Sequence, residues 1–295
     1  MQNLKELSIE IGINYGFLKS LCLYPEKFYQ SYYIQKKEGA YRIIDAPSYK
    51  MKAIQKWILR NILEKKFTIM KIVTGFVRGR GIKFNAKYHL GNRYIMCLDL
   101  KDFFFSIKIP LVLRVFESIY SNSEFAKQLA RICTFRGYLP QGGVTSPTLS
   151  NIIFEPVDKE INRVCNENRV TYSRYADDLT FSSNHREILK AIQKSVEKIL
   201  EQYDYKLNPR KTRFYSGKHR MRVTGILLNS EDRLTVGREK KRKIRADLFN
   251  YLVKKDTSVN LKKTLGNIYF IKDIEPGYVD KVNQYKNNLQ KKFLE

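Results

Sequence analysis

Hydrophobic residues recur along the chain at helical and strand-like spacings, and each spacing predicts one type of element. Segment 187–203 has the period of an amphipathic helix, with an apolar stripe formed by Ile188, Ile192, Val196, Ile199 and Tyr203. Segment 49–66 has the same period, with basic residues on its outer face. Further helices are predicted at 1–30, 148–166, 238–255 and 259–295. Pro156 should kink or interrupt the helix predicted at 148–166, because proline removes a backbone donor.

Apolar runs of other kinds predict the strands. The run "YIMCLDL" (94–100) is apolar up to its acid, which is typical of a buried strand. The stretch "RVTYSRYADDLTFSS" (169–183) alternates apolar and polar residues on both sides of Asp177 and Asp178, and it predicts a hairpin. Another hairpin is predicted at 32–48 and a further strand at 222–229. This order of elements indicates an α+β fold around a small antiparallel sheet.

Charge narrows the class of function. The 295 residues include 55 Lys and Arg against 29 Asp and Glu, a formal net charge of +26. Such a positive field attracts polyanions, and nucleic acid is the commonest of them. A general solubility charge and a membrane-surface protein are the alternatives, but no long basic membrane helix stands out. The length predicts one large domain or two to three lobes that share a core.

The cysteines and the first residues of the chain predict a cytoplasmic protein. The four cysteines, Cys22, Cys97, Cys133 and Cys165, form no CxxC pair, so a structural zinc site is disfavoured and reduced core thiols are expected. The first residues, "MQNLKELSIEIG", do not resemble a signal peptide. No apolar stretch approaches the ~20 residues that span a bilayer, so we expect no membrane partner.

Three aspartates are the candidate chemistry. Asp177 and Asp178 are adjacent, and such carboxylates repel each other unless water, a donor or a cation screens them. A tight turn alone would also explain them, and Asp99 alone could be a solvated cap at the end of its strand. Together the three could bind two Mg²⁺ ions, the arrangement used for phosphoryl transfer.

Four ordered motifs give these aspartates a context. "YADD" (175–178) resembles the YxDD box of reverse transcriptases, and "LDLKDFF" (98–104) resembles the carboxylate motif that precedes it. "LPQGGVTSPTLSN" (139–151) and "LNPRKT" (207–212) are similar to the segments between and after these motifs. The resemblance implies a right-hand polymerase fold, with fingers and palm in residues 1–230 and a short helical thumb in residues 231–295.

The resemblance also implies roles for individual residues. Asp99, Asp177 and Asp178 would bind two Mg²⁺ ions, with help from the backbone carbonyl of Leu100. Phe104 matches the gate that excludes the ribose 2′-OH, although a core phenylalanine is the alternative; Phe103 and Phe105 are expected to be core residues. Contacts with the incoming nucleotide are expected from Arg42, Lys36, Gln141, Gly142 and Lys211, although a single basic residue in so basic a chain is often only a solvated charge.

Two short motifs narrow the family. "NAKYH" (85–89) and "VTG" (223–225) resemble motifs of bacterial retron reverse transcriptases. The implied RNA-contacting residues are Asn85, His89, Val223, Thr224 and Gly225, although a helix cap and a structural histidine are the alternatives for the first two. Lys240, Lys241 and Arg242 on the predicted thumb are expected to contact phosphates, with a solvated face as the alternative.

The retron resemblance implies a definite activity. Such enzymes copy part of a cognate non-coding RNA into DNA from dNTPs, starting at a guanosine 2′-OH and leaving a branched product. It further implies antiphage defence together with a separate effector protein. A group II intron-like or CRISPR-associated reverse transcriptase is the main alternative. A non-catalytic RNA-binding scaffold is a second alternative, which the intact Asp99, Asp177 and Asp178 disfavour.

Overall fold

The computed structural model describes residues 2–35, 39, 41–216, 221–229, 231 and 233–293. The first helices are α1 (Leu4–Ile11) and α2 (Tyr15–Leu23). Each begins where an asparagine side chain, Asn3 or Asn14, accepts a hydrogen bond from a backbone N–H of the first turn. The helix predicted over 1–30 is therefore two shorter helices.

The hairpin predicted at 32–48 is confirmed and starts slightly earlier. Strand β1 (Tyr29–Gln35) pairs antiparallel with β2 (Tyr41–Pro47). Helix α3 (Tyr49–Ile58) continues through a π-helical turn, Leu59–Leu63, into α4 (Glu64–Lys66), which confirms the helix predicted at 49–66. Lys36 lies outside the described residues.

A four-stranded antiparallel sheet forms the centre of the molecule. Its strands are β3 (Tyr94–Asp99), β4 (Thr171–Tyr175), β5 (Asp178–Ser183) and β6 (Arg213–Ser216), in the order β4-β5-β3-β6. The helices of this part are α5 (Ile82–Lys87), α6 (Phe103–Ser106), α7 (Ile109–Glu117), α8 (Ser123–Cys133), α9 (Ser146–Glu167) and α10 (Arg186–Gln202). Apolar side chains of β3, β5, α9 and α10 join one core, so the strand ends are held rigidly.

The interruption predicted as one effect of Pro156 is wrong, whereas a kink there stays a prediction. Helix α9 runs unbroken from Ser146 to Glu167 with Pro156 inside it. Proline removes one N–H from the helix, and its ring crowds the carbonyl of Ile152, four residues earlier. Phe154 and Val157 on either side are buried in the core, and their packing offsets the lost hydrogen bond.

The single strand predicted at 222–229 is also wrong, because the chain reverses there. Strand β7 (Met221–Val223) pairs antiparallel with β8 (Ile226–Leu228), and β9 (Leu234–Thr235) pairs with β8. The two residues of the turn, Thr224 (φ 45°) and Gly225 (φ 85°), both have positive φ. That geometry is the one a two-residue hairpin turn needs, and glycine adopts it without strain.

The C-terminal part consists of helices, as predicted. They are α11 (Arg238–Leu252), α12 (Leu261–Ile274) and α13 (Tyr278–Phe293). A small core of their own joins Ile244, Leu248, Ile268, Ile271, Tyr278 and Val282. The α+β prediction is confirmed, whereas a domain boundary at residue 230 stays a prediction. In the described part of the chain, no helix is long and apolar enough to cross a bilayer.

Candidate active site

Three aspartates meet at one end of the four-stranded sheet. Asp99 is the last residue of β3, and it lies directly opposite Asp178, the first residue of β5. Asp177 sits in the turn between β4 and β5, where Tyr175 pairs with Asp178. The backbone N–H of Leu100 donates to Asp177 O at 2.9 Å, which ties this turn to the end of β3. The pairing of β3 with β5 therefore brings Asp99 close to Asp177 and Asp178, which lie far from it in the sequence.

Burial and mutual repulsion make this group electrostatically costly. Burial, then the charges of Asp177 and Asp99, raise the pKa of Asp178 to about 6. Burial and the charge of Asp99 also raise the pKa of Asp177. Lys211 Nζ donates to Asp99 Oδ2 at 2.8 Å and offsets part of the negative charge. The remaining excess favours either protonation or the binding of cations.

The donor atoms suit a hard divalent cation. Asp99 Oδ1 is buried and has no hydrogen-bond partner among the described residues. Carboxylate oxygens are the ligands that Mg²⁺ prefers. Within the described ranges, however, no three His, Cys, Asp or Glu side chains form a ready-made metal cluster. The residues thus fit a cation by chemistry and by the unpartnered oxygen, while a closed ligand set is not preformed. A role for the Leu100 carbonyl stays a prediction.

Three of the predicted nucleotide-binding residues, Arg42, Gln141 and Gly142, lie on β2 or on the loop that packs against it. Arg42 is exposed on β2, and its charge acts to lower the pKa of Asp177, as a smaller influence than burial. Asp45 N donates to Gln141 O at 2.8 Å, so the loop after Pro140 packs against β2. Gly142 has φ 132°, and a Cβ there would lie 2.7 Å from Asp45 O. Glycine is therefore required for this close approach of two backbones.

Phe104 packs against the main apolar core without being fully buried in it. It is half-buried, and its ring centroid lies 5.7 Å from Phe103 and 6.0 Å from Phe76. Phe103 is 2% exposed and belongs to the core, as expected. Phe105 is half-buried, with its ring 4.7 Å from that of Tyr138. The gate role of Phe104 stays a prediction.

The RNA contact predicted for Asn85 and His89 is wrong for this structure, because both side chains are fully buried. Asn85 Oδ1 accepts from Thr74 Oγ1 at 2.9 Å and from Ser173 Oγ at 2.7 Å. The two ring nitrogens of His89 lie 2.8 Å from Ser182 Oγ and 2.7 Å from Ser173 Oγ. Burial lowers the pKa of His89 to about 3, so the ring is neutral. The structural alternative holds for His89, whereas Asn85 lies inside α5 and is not the helix cap considered for it. Together the two residues fasten α5 and the chain after it to β4 and β5.

Of the RNA contacts predicted for Val223, Thr224 and Gly225, the burial of the side chains leaves only those of the two turn residues. Val223 is fully buried, and its predicted RNA contact is wrong for the same reason. Thr224 is half-buried and donates to Ile82 O at 3.3 Å, whereas Gly225 is exposed. RNA contact by the turn residues stays a prediction.

The basic residues of α11 differ in what they contact. Lys241 is half-buried, forms an ion pair with Glu275 and lies 5.7 Å above the Tyr278 ring. Its predicted phosphate contact is therefore replaced by a structural one in this conformation. Lys240 is exposed, 4.2 Å above the Phe270 ring, and Arg242 is exposed. These two stay candidates for phosphate contact.

Sequence reasoning missed a buried polar group behind the aspartates. It consists of Arg174, Asp158 and Asn151, none of which is more than 1% exposed. A signal was available: Asp158 interrupts the apolar stripe of Phe154, Ile161 and Cys165 on α9. A charge on a buried face needs a partner of opposite sign. Arg174 on the buried strand β4 is that partner.

Comparisons with known proteins agree with the geometry. The family model described as reverse transcriptase (RNA-dependent DNA polymerase) matches residues 34–228. The retron Ec83 reverse transcriptase of Escherichia coli is 33% identical over 273 residues, which cover 88% of this chain and 87% of that protein. The retron Ec86 reverse transcriptase of Escherichia coli is 31% identical over 295 residues, which cover 99% of this chain and 91% of that protein.

Solved structures of similar fold have much lower sequence identity to this chain than these two retron enzymes have. Apo telomerase from Candida tropicalis superimposes with a TM-score of 0.56 at 13% identity, covering 90% of this chain and 59% of that one. The foamy viral protease–reverse transcriptase in complex with double-stranded DNA gives a TM-score of 0.53 at 18% identity, covering 88% of this chain and 38% of that one. At these identities the similarity concerns the fold alone, and it confirms the predicted α+β polymerase fold.

Proposed function

The chain belongs to the bacterial retron reverse transcriptases, and on that basis we propose that it copies part of a cognate structured RNA into branched single-stranded DNA. It is an RNA-directed DNA polymerase. The proposed start is the 2′-OH of a guanosine within that RNA. The observation that carries the proposal is the meeting of Asp99, Asp177 and Asp178 at one end of the sheet. Similarity over nearly the full chain to retron enzymes favours this start over a conventional annealed primer.

The proposed cofactor is Mg²⁺, as two ions held by Asp99 and Asp177 with Asp178 at the edge. When bound, the metals would activate the attacking hydroxyl and stabilise the leaving pyrophosphate. The raised pKa values of Asp177 and Asp178 and the unpartnered Asp99 Oδ1 support this assignment. Each of these features carries a free-energy cost that a bound cation lowers.

The residues around the aspartates are proposed to bind and orient the dNTP. Arg42 would contact the triphosphate from the exposed side of β2, and Lys36, six residues earlier in the sequence, is proposed to assist it. Gln141 and Gly142 would line the nucleotide, because their loop packs on β2 beside Arg42. Lys211, whose side chain is 53% exposed, can leave Asp99 and neutralise or protonate the pyrophosphate.

Phe104 is proposed to exclude the ribose 2′-OH. Its ring rests against Phe103 and Phe76, so it cannot swing away without disturbing both. A rigid ring at that place would favour deoxynucleotides by a steric clash. This explains why a half-buried aromatic residue lies so close to the aspartates in sequence.

The test uses the RNA that copurifies with the protein, identified by sequencing. With dNTPs and Mg²⁺ the wild-type protein should extend this RNA into a product that a 2′,5′-debranching enzyme shortens. Asp177→Asn should abolish synthesis but keep RNA binding, and Asp204→Asn, a change at an exposed aspartate, should leave both synthesis and RNA binding unchanged. DNA synthesis by Asp177→Asn would overturn the catalytic assignment. A linear product from an annealed primer only would favour the group II intron-like alternative.

Antiphage defence with a separate effector protein belongs to the same proposal. The effector activity is proposed to come from another polypeptide. The expected result is that cells with the RNA, this protein and its genetic neighbours resist phage, and that Asp177→Asn removes the resistance. Resistance that survives Asp177→Asn would separate defence from DNA synthesis.

A further inference from the structure

Arg174 lies buried on β4, and all three nitrogens of its guanidinium group donate hydrogen bonds. Its Nε donates to Asp158 Oδ1 at 2.9 Å and its Nη2 donates to Asp158 Oδ2 at 2.6 Å. The guanidinium also lies 4.7 Å above the ring of Phe154. An ion pair in such a place is weak evidence for stability, because the loss of water around both charges offsets their attraction. The ion pair alone therefore does not explain why Arg174 is buried here, and the hydrogen bonds from its third nitrogen, Nη1, need a separate explanation.

That donor reaches the turn that carries the aspartates. Arg174 Nη1 donates to the backbone oxygen of Ala176 at 3.0 Å. Ala176 immediately precedes Asp177 and has φ 58°, an uncommon conformation for alanine that surrounding contacts must hold in place. The same Nη1 donates to Asn151 Oδ1 at 3.0 Å. Arg174 thus joins helix α9 to the backbone of the turn.

Asn151 extends the connection to a second segment. Its Nδ2 donates to Gly75 O at 3.0 Å. Gly75 packs directly on the turn, since a Cβ there would collide with Ala176 N and lie 2.9 Å from Tyr175 C. The next residue, Phe76, has φ 61°, and its ring lies 6.0 Å from that of Phe104.

We propose that Arg174 and Asn151 are positioning residues that fix two parts of the active site with one buried clamp: the turn bearing Asp177, and the Gly75–Phe76 segment that supports Phe104. The clamp is defined as Arg174, Asp158 and Asn151. It rests on the proposed roles of Asp177 and Phe104. Loosening the clamp should change the metal requirement and the sugar discrimination together, because both depend on the same buried hydrogen bonds.

The test compares Arg174→Lys with Tyr172→Phe. Lysine keeps a positive charge beside Asp158 but has no fork to reach Ala176 O and Asn151. Tyr172 OH donates to Asp158 Oδ1 at 2.8 Å, so Tyr172→Phe removes a bond from the same buried group without touching the turn. Asn151→Ala is the second variant, since it keeps the Arg174–Asp158 ion pair and the bond to Ala176 O but removes the bridge from Arg174 to Gly75.

Four measurements separate positioning from damage to the fold. Arg174→Lys should lower kcat about tenfold or more at saturating template. It should raise the Mg²⁺ concentration for half-maximal rate, and raise the ribonucleotide-to-deoxynucleotide ratio of kcat/KM about threefold or more. In the metal-free protein, amides of 74–77 and 175–178 should exchange faster. The ratio is independent of the fraction of folded enzyme. Asn151→Ala should also raise the ribonucleotide-to-deoxynucleotide ratio and speed amide exchange at 74–77. If Arg174→Lys does not fold, the results for Asn151→Ala alone test the proposal.

Tyr172→Phe should match the wild type in the ratio, the Mg²⁺ requirement and amide exchange at the turn, whatever it does to the melting temperature. The proposal is overturned if folded Arg174→Lys and Asn151→Ala keep both the wild-type ratio of ribonucleotide to deoxynucleotide kcat/KM and the wild-type amide exchange. It is also overturned if Tyr172→Phe changes both quantities as much as they do. A wild-type enzyme that polymerises normally in the same assay shows that such a failure concerns the clamp and leaves the proposed function standing.

Discussion

The ammonium group of Lys211 lies 2.8 Å from Asp99 Oδ2, so the lysine occupies one oxygen of a proposed metal ligand. The carboxylate is 8% exposed and the lysine side chain 53% exposed, so the pair has one fixed and one movable partner. Together with the nearby Asp177 and Asp178, Asp99 raises the pKa of Lys211 despite partial burial, so the lysine stays charged. It can therefore serve as a counterion before the reaction and as a proton donor during it.

Lys211→Ala should lower the rate of DNA synthesis about a hundredfold or more, because a general acid contributes about that much. Stability should change by only about 0–1 kcal/mol, since the lysine is half exposed. Steady-state kinetics and urea unfolding measure the two effects. Lys206→Ala is the matched control, because Lys206 is exposed in the same loop. Similar rates for both variants would remove Lys211 from the chemistry.

Phe104→Val should let ribonucleotides into the active site. The ratio of ribonucleotide to deoxynucleotide kcat/KM should rise about tenfold, equivalent to ~1.4 kcal/mol, because the clash with the 2′-OH is removed. Single-nucleotide extension of one primed template gives the ratio. Phe105→Val is the control, since that ring packs on Tyr138 instead. If both variants keep the wild-type ratio, the gate is another residue.

On α11, Lys240→Ala combined with Arg242→Ala should weaken RNA binding and flatten its salt dependence by roughly 0.7–0.9 per lost phosphate contact. Lys241→Ala should instead lower the melting temperature, because it leaves Glu275 without its cation. Fluorescence anisotropy at several salt concentrations measures the slope. The prediction fails if the slope responds to Lys241→Ala alone.

His89 makes stability depend on pH. Burial lowers its pKa to about 3 from an ordinary value of 6.5, so below pH 6.5 the unfolded chain binds a proton that the folded one does not. The free energy of unfolding should therefore fall as pH drops from 6.5 towards 3, by up to about 1.4 kcal/mol per pH unit from this group. Urea unfolding at pH 7 and pH 5 should show a smaller fall in His89→Gln than in the wild type.

His185→Gln, a change at an exposed histidine, is the control for that experiment and should behave as the wild type. Other titrating groups, including Asp178, are common to the compared proteins and cancel. Because His89 is buried, His89→Gln should impair synthesis on the cognate RNA and on a primed generic template alike. Selective loss on the cognate RNA would restore a direct role in RNA recognition.

The sequence predicted the catalytic end of the sheet because its signals are local. Asp99 ends an apolar run, and Asp177 and Asp178 interrupt an alternating one, so spacing alone placed all three at strand ends. The hairpin at Thr224 and Gly225 was missed because a two-residue turn hardly disturbs alternation, and only the positive φ angles reveal it. RNA contact by Asn85 and His89 was expected from the resemblance of their motif alone, and such a motif does not show whether its side chains are buried. Their partners, Ser173 and Ser182, come from strands far along the chain.

The contact between Gly75 and the backbone of the turn has a consequence for directed evolution. Any side chain at position 75 begins with a Cβ, and that atom has no room beside Ala176 N and Tyr175 C. A mutational library of this polymerase should thus return glycine at 75 almost without exception, even under selection for altered nucleotides. The neighbouring Phe76, 44% exposed, has room for other side chains. Engineering of substrate range should therefore randomise 76 and 104 together and leave 75 fixed.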